Sequence, residues 1–157
     1  MSEYVATTKW QRMDDESFVD GKYSRAHSWR FDGGAEVAAS ASPQVVPPPY
    51  SVEAYVDPEE AFVASLSSCH LLWFLHFAME KRWRVDYYRD EAVGTMAKDG
   101  EGKLAMTEVI LRPAVRFGGD QPPDEQVAEL HRRAHESCFI ANSVTTKVSV
   151  QPAAATT

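Results

Sequence analysis

The chain has 157 residues, of which 16 are Lys or Arg and 23 are Asp or Glu, for a formal charge of −7. That balance argues against nucleic acid as a partner, since phosphate binding needs a basic face. Hydrophobic residues at 44% and charged residues at 25% are ordinary for a soluble globular protein, and the length suits a single domain over 1–152 with a short disordered tail at 153–157.

The N-terminal Met1 to Trp10 is polar and lacks the apolar stretch of a secretory signal, so a cytoplasmic location is expected. Glu3 to Arg12 reads as a strand-like run with Val5, Thr7, Thr8 and Trp10, followed by an acidic turn from Met13 to Ser17. Lys22 to Phe31 alternates and predicts a strand with Tyr23, Arg25, His27 and Trp29 on one face. Asp32-Gly33-Gly34 is a hairpin turn signal, and Ala35 to Ser40 would return beside that strand. Ser42 to Val56 carries four prolines, three of them consecutive at Pro47, Pro48 and Pro49, and predicts an extended loop.

Asp57 to Trp83 is the central stretch. Asp57 can cap a helix, Pro58 suits its first position, and Glu60 sits where a capping box places its acid. From Ala61 to Met79 no side chain carries a fixed charge, and the run is apolar or small on nearly every face. It predicts a helix buried all round, in a core or an interface rather than a membrane, because serines, histidines and a cysteine interrupt it. One small sheet cannot cover every face, so a homodimer is expected.

Basic residues at Lys81 and Arg82 suit the helix end. Val85 to Ala97 and Leu104 to Phe117 read as two strands joined by the turn KDGEG, with Val109, Leu111, Val115 and Phe117 on one face and an edge or bulge at Pro113. Asp124 opens a second helix with Val127, Leu130, Ala134 and Cys138 at helical spacing, reoriented near Ser137. Cys138 to Val144 then leads to a last strand, Thr145 to Val150. The order predicts an α+β fold, with antiparallel sheets around a long central helix.

Only Cys69 and Cys138 carry thiols. They read as inert core residues, metal ligands or a redox pair. A thiol in apolar surroundings is unreactive, and a nucleophilic Cys69 needs a nearby cation, for which Arg25, His27 and His70 are candidates. If Cys138 starts a new helix, the backbone N–H groups would lower its pKa. A zinc site from Cys69, His70, His135 and Cys138 lacks a C-x-x-C knuckle, and no metal is expected. A Cys-His hydrolase would pair Cys69 with His27 or His135, but nothing in the spacing marks an oxyanion hole. His76 and His131 read as packing or surface residues.

Three stretches together resemble the OsmC/Ohr family, the osmotically inducible protein C and organic hydroperoxide resistance proteins. They are DPEEAFVASLSSC, with its cysteine ten residues after Glu59, then AHESCFIANSV, and YSRAHSWRFDGG around Arg25. The resemblance covers nearly the whole chain and implies an OsmC-like fold in an intertwined homodimer. It implies a cofactor-free thiol peroxidase acting on organic, and also hydrogen, peroxides in oxidative stress defence. Cys69 would become a sulfenic acid and Cys138 would resolve it as a disulfide. An external dithiol, a lipoylated protein in some members, would reduce the pair. Arg25 would stabilise the thiolate and Glu59 would hold Arg25. His27, His70, Trp73 and Phe139 are expected to line an apolar substrate pocket, with neither nucleic acid nor membrane as partner.

Along a continuous helix Glu59 and Cys69 stand about 15 Å apart, so Glu59 cannot touch its own helix's thiol. It would act through Arg25, sit outside the regular helix, or serve a partner subunit, which places the expected site at the dimer interface. Phe139 where the family often has proline, His70 after the first cysteine, and the proline-rich loop mark a less characterised branch. The alternative is a non-catalytic protein on the same fold that binds a small apolar ligand, with Cys69 and Cys138 too far apart to bond.

Overall fold

The computed structural model describes residues 1–154 and resolves into two compact units, Met1–Ala61 and Phe62–Thr157. Part of the expected tail, 155–157, lies outside the described residues.

In the first unit, β1 (Ala6–Lys9), β2 (His27–Phe31) and β3 (Glu36–Ala39) form an antiparallel sheet in that order. The Asp32–Gly34 turn joins β2 to β3, with Gly34 at φ 88°, where a side chain would be strained. The strand predicted from Lys22 begins only at His27. The β1 ladder ends at Lys9 opposite Ser28, so residues 22–26 have no strand partner. Side chains take their backbone groups instead: Lys22 N–H donates to Asp20 Oδ1 (3.0 Å) and Ser24 N–H to Glu16 Oε1 (2.9 Å). Tyr23 and Arg25 therefore lie in a loop, not on the face that carries His27 and Trp29. The proline-rich segment is irregular as expected, apart from one parallel bridge between Ala39 and Val56.

Helix α1 (Pro58–Glu80) starts at the last residues of the first unit. Its predicted capping box is formed in both directions. Glu60 N–H donates to Asp57 Oδ1 (2.7 Å), and Asp57 N–H donates to Glu60 Oε2 (3.2 Å). At its other end Trp83 N–H reaches Ala78 O and Arg82 N–H reaches Met79 O, a Schellman close with Arg82 at φ 60° in the usual glycine position. By length and composition alone α1 could cross a membrane.

In the second unit the two predicted long strands each break in two, giving β4 (Arg84–Asp90), β5 (Val93–Lys98), β6 (Leu104–Leu111) and β7 (Pro113–Gly118). β4 pairs with β7 and β5 with β6, all antiparallel. Asp90 spans the break: its carboxylate accepts Arg112 N–H (2.6 Å) and the Ser67 hydroxyl of α1 (2.6 Å). Helix α2 (Asp124–Ser137) and a 3-10 turn (Ala141–Ser143) lead to β8 (Lys147–Val150). β8 joins β6 in parallel, a departure from the purely antiparallel expectation. Beyond it Ala153 N–H bonds Pro113 O at 3.0 Å, which ties down the first residue of the expected tail.

Two apolar clusters fill this unit. Phe74, Phe77, Phe117, Leu130 and Ala134 make one, and Leu66, Val109 and Leu111 make the other. Together they cover one face of α1. Leu66, His70, Phe74, Phe77 and Ala78 are buried, whereas Leu72 and Met79 are 65% and 61% exposed. The helix is thus buried along one side of the single chain, not all round.

Candidate functional site: a pair of neighbouring thiols

Cys69 lies half-buried at mid-length of α1, and Cys138, 2% exposed, is the residue that ends α2. Both are free thiols, and Cys69 lies near enough to raise the Cys138 thiol. Cys138 N–H closes the helix on His135 O (3.2 Å), while its Sγ accepts Ala141 N–H (3.4 Å). The N–H groups of Ala141 and Ile140 favour a thiolate, as the sequence led one to expect. Burial outweighs them, and with the adjacent Cys69 pushes the Cys138 thiol up to about 11. The condition for a lowered thiol, that Cys138 start a helix, is not met: Cys138 ends α2 and its thiol is raised, by burial first.

Trp73 stacks on Phe77 (5.4 Å) and meets Phe139 edge to face (5.3 Å). Phe139, the residue after Cys138, is 67% exposed, so two of the four expected pocket residues do come together. His70 is fully buried and turned to α2, where its Nε2 lies 3.1 Å from Nδ1 of the buried His131. Burial, followed by the neighbouring His131 and His135, lowers His70 to about 3, and burial lowers His131 to about 4, so both rings are neutral. His131, expected as a packing or surface residue, is indeed packed, and its pairing with His70 is what the sequence reading did not foresee. Its spacing to His135 and Cys138 puts all three along one side of α2, which was the available signal. His76 pairs with Glu80 at the surface (3.3 Å).

In the first unit, His27 Nε2 accepts the indole N–H of Trp29 (3.0 Å), which puts the ring proton on Nδ1, donated to Arg25 O (2.8 Å). Arg25 donates Nη1–H to the carbonyls of Gly21 and Tyr23. It forms no ion pair with Glu59 among the described residues, because its loop turns the guanidinium onto those carbonyls. Glu59 Oε2 is buried without a hydrogen-bond partner there. The adjacent Glu60 is committed to the helix cap, which leaves Glu59 as the free carboxylate of the two.

Among the described residues no group of three or more His, Cys, Asp or Glu side chains is disposed to hold a metal ion. An open groove of about 380 Å³ runs along Leu75, Met79, Arg82, Trp83, Arg84 and Val85, and contains none of the predicted site residues.

The family model for OsmC-like proteins matches residues 52–153. No curated protein matches the sequence. An OsmC-like protein of unknown function from Vibrio cholerae is 55% identical, with a TM-score of 0.95 over 98% of this chain and 100% of that one. The organic hydroperoxide resistance protein OhrB of Bacillus subtilis shares the fold at 18% identity and TM-score 0.69, over 97% of this chain and 98% of that one. An organic hydroperoxide resistance protein from Elizabethkingia anophelis does so at 16% and 0.70, over 100% and 98%.

Proposed function

Since the chain belongs to the OsmC-like protein family, we propose that it is a thiol-dependent peroxidase reducing organic hydroperoxides in the cytoplasm, as part of oxidative stress defence. What supports this reading is that Cys69 from α1 and Cys138 from the end of α2 are both free thiols, near enough for Cys69 to raise the Cys138 thiol. A purely ligand-binding role gives no reason for that placement.

In the proposed reaction the Cys69 thiolate attacks the terminal oxygen of ROOH. The O–O bond breaks, the alkoxide takes up a proton and leaves as ROH, and the sulfur retains OH as a sulfenic acid. Cys138 then loses its proton and attacks that sulfur. The S–S bond forms, and the departing hydroxide leaves as water with that proton. An external dithiol, by resemblance a lipoylated protein, supplies the two electrons that return both thiols. Arg25 and Glu59 keep the roles that the resemblance implies, as the cation for the thiolate and its carboxylate partner. Trp73 and Phe139 offer an aromatic wall beside the thiol pair, which suits an apolar R group.

One feature supports a homodimer within this proposal: Leu72, Leu75 and Met79 leave an apolar stripe on α1 uncovered, and a second copy would cover it.

The test is cumene hydroperoxide consumption with a small dithiol as reductant. The parent should turn over, and Cys69→Ser should abolish turnover. Cys138→Ser should accumulate a sulfenic acid that dimedone traps. Turnover by both variants at the parent's rate would rule the proposal out.

A further inference from the structure

Arg25 is fixed on several sides by its own unit. Its backbone N–H donates to Tyr50 O (2.9 Å) and its carbonyl accepts from His27 Nδ1 (2.8 Å). Its Nη1 donates to Gly21 O (2.7 Å) and Tyr23 O (2.5 Å), and its guanidinium lies 3.7 Å over the Tyr23 ring. That ring is itself braced. Phe18 stacks on it at 4.6 Å, and Trp10 meets it edge-on at 5.6 Å. Trp10 is anchored in turn by its indole N–H on Ser24 O (2.8 Å).

Every one of these partners is neutral. A π face and two carbonyls hold the guanidinium and leave its charge for an anion. Both carbonyl contacts use Nη1 alone, so among the described residues Nη2 and Nε carry no hydrogen bond. That free edge is the fork with which arginine addresses an anionic group.

We propose that Tyr23, braced by Phe18 and Trp10, is the positioning residue for Arg25, presenting the free Nη2–Nε edge of its guanidinium to an anion. The inference rests on the proposed service of Arg25 to the Cys69 thiolate and deepens it. A flexible side chain otherwise spends rotamer entropy each time it engages its target, and the aromatic platform removes that cost in advance.

The experiment measures alkylation of Cys69 by iodoacetamide against pH in a Cys138→Ser background, which needs no peroxide. Arg25→Ala should move the pH midpoint to the alkaline side. Tyr23→Leu should move it the same way, slowing alkylation at pH 7 by about threefold, the factor for half a pH unit. Tyr23→Phe, which keeps the ring, should match the parent. Tyr23→Leu added to Arg25→Ala should cause no further shift. Phe18→Leu, a milder change, should shift the midpoint by less than Tyr23→Leu and in the same direction, with far-UV circular dichroism confirming both folds. A parental midpoint in Tyr23→Leu, an equal shift in Tyr23→Phe, or shifts that add would each overturn the assignment. A parental midpoint in Arg25→Ala would remove its premise. Loss of peroxide turnover in the parent, with the alkylation shifts intact, would count against the peroxidase reading alone.

Discussion

His70 Nε2 and His131 Nδ1 lie 3.1 Å apart, in rings parallel to within 6°. Only one proton fits between them, so the pair joins α1 to α2 while both imidazoles are neutral. The remaining ring nitrogens, His70 Nδ1 and His131 Nε2, are buried without partners among the described residues. No counter-charge waits there for an imidazolium.

The pair therefore makes stability pH-dependent. Burial holds His70 near 3 and His131 near 4, below the 6.5 of an exposed imidazole. As pH falls through 6.5 the unfolded chain takes up protons that the folded chain refuses, so stability is full above that value and declines toward pH 3. The expected loss is on the order of 1–2 kcal/mol per histidine between pH 7 and pH 5. Urea unfolding at the two pH values measures it, and His131→Asn should flatten the acid limb. A parent equally stable at both values would contradict the neutral pair.

The capping box yields a second prediction, and it separates two neighbouring acids. Asp57→Ala removes the acceptor for Glu60 N–H and should cost about 1 kcal/mol in denaturant unfolding. Glu60→Gln can still accept Asp57 N–H and should cost less. Glu59→Gln touches no cap bond. It should leave stability within about 0.5 kcal/mol of the parent while lowering peroxide turnover. A Glu60→Gln variant that loses turnover while Glu59→Gln keeps it would reverse the assignment of the free carboxylate.

Local signals carried much of this molecule. Asp57, Pro58 and Glu60 announced the start of α1, and Gly33 and Gly34 announced the first hairpin, because caps and turns are settled within a few residues. Arg25 was misplaced because alternation alone cannot say whether a strand has a partner. The β1 ladder runs out at Lys9, and Asp20 and Glu16 capture the backbone beyond it. The breaks between β4 and β5 and between β6 and β7 depend on Asp90 reaching Arg112, a contact across 22 residues. The His70–His131 pairing was not foreseen for the same reason, since the two lie 61 residues apart. The neighbouring thiols came from the family resemblance. No local pattern in the sequence links Cys69 to Cys138.

The elevated Cys138 thiol bears on the proposed resolving step. With burial holding it near 11, only a small fraction is thiolate at neutral pH. Disulfide formation from the Cys69 sulfenic acid should then accelerate by about tenfold per pH unit between pH 7 and 9. Oxidising Cys69 removes its share of the shift, but burial, the larger cause, persists. Stopped-flow tryptophan fluorescence after a single addition of peroxide follows the step. A flat profile would mean that a nearby base takes the proton instead.

The uncovered stripe of α1 gives the last prediction. Leu72, Leu75 and Met79 follow one another at helical spacing, with exposures of 65%, 36% and 61%. A row of this kind on a helix whose opposite side is already packed needs a cover, and the proposed homodimer supplies one through the same stripe of a second copy. Light scattering coupled to size exclusion should report twice the chain mass for the parent. Leu72→Glu would place a carboxylate in the apolar centre of that contact, where it would be desolvated without a cation, and should give a monomer or a concentration-dependent mixture. Leu72→Met keeps the apolar volume and should remain dimeric. If the site is completed by the partner, turnover should fall with the dimer in Leu72→Glu and recover as protein concentration rises. A fully active monomer would separate the chemistry from the interface and return Glu59 to a role within its own chain.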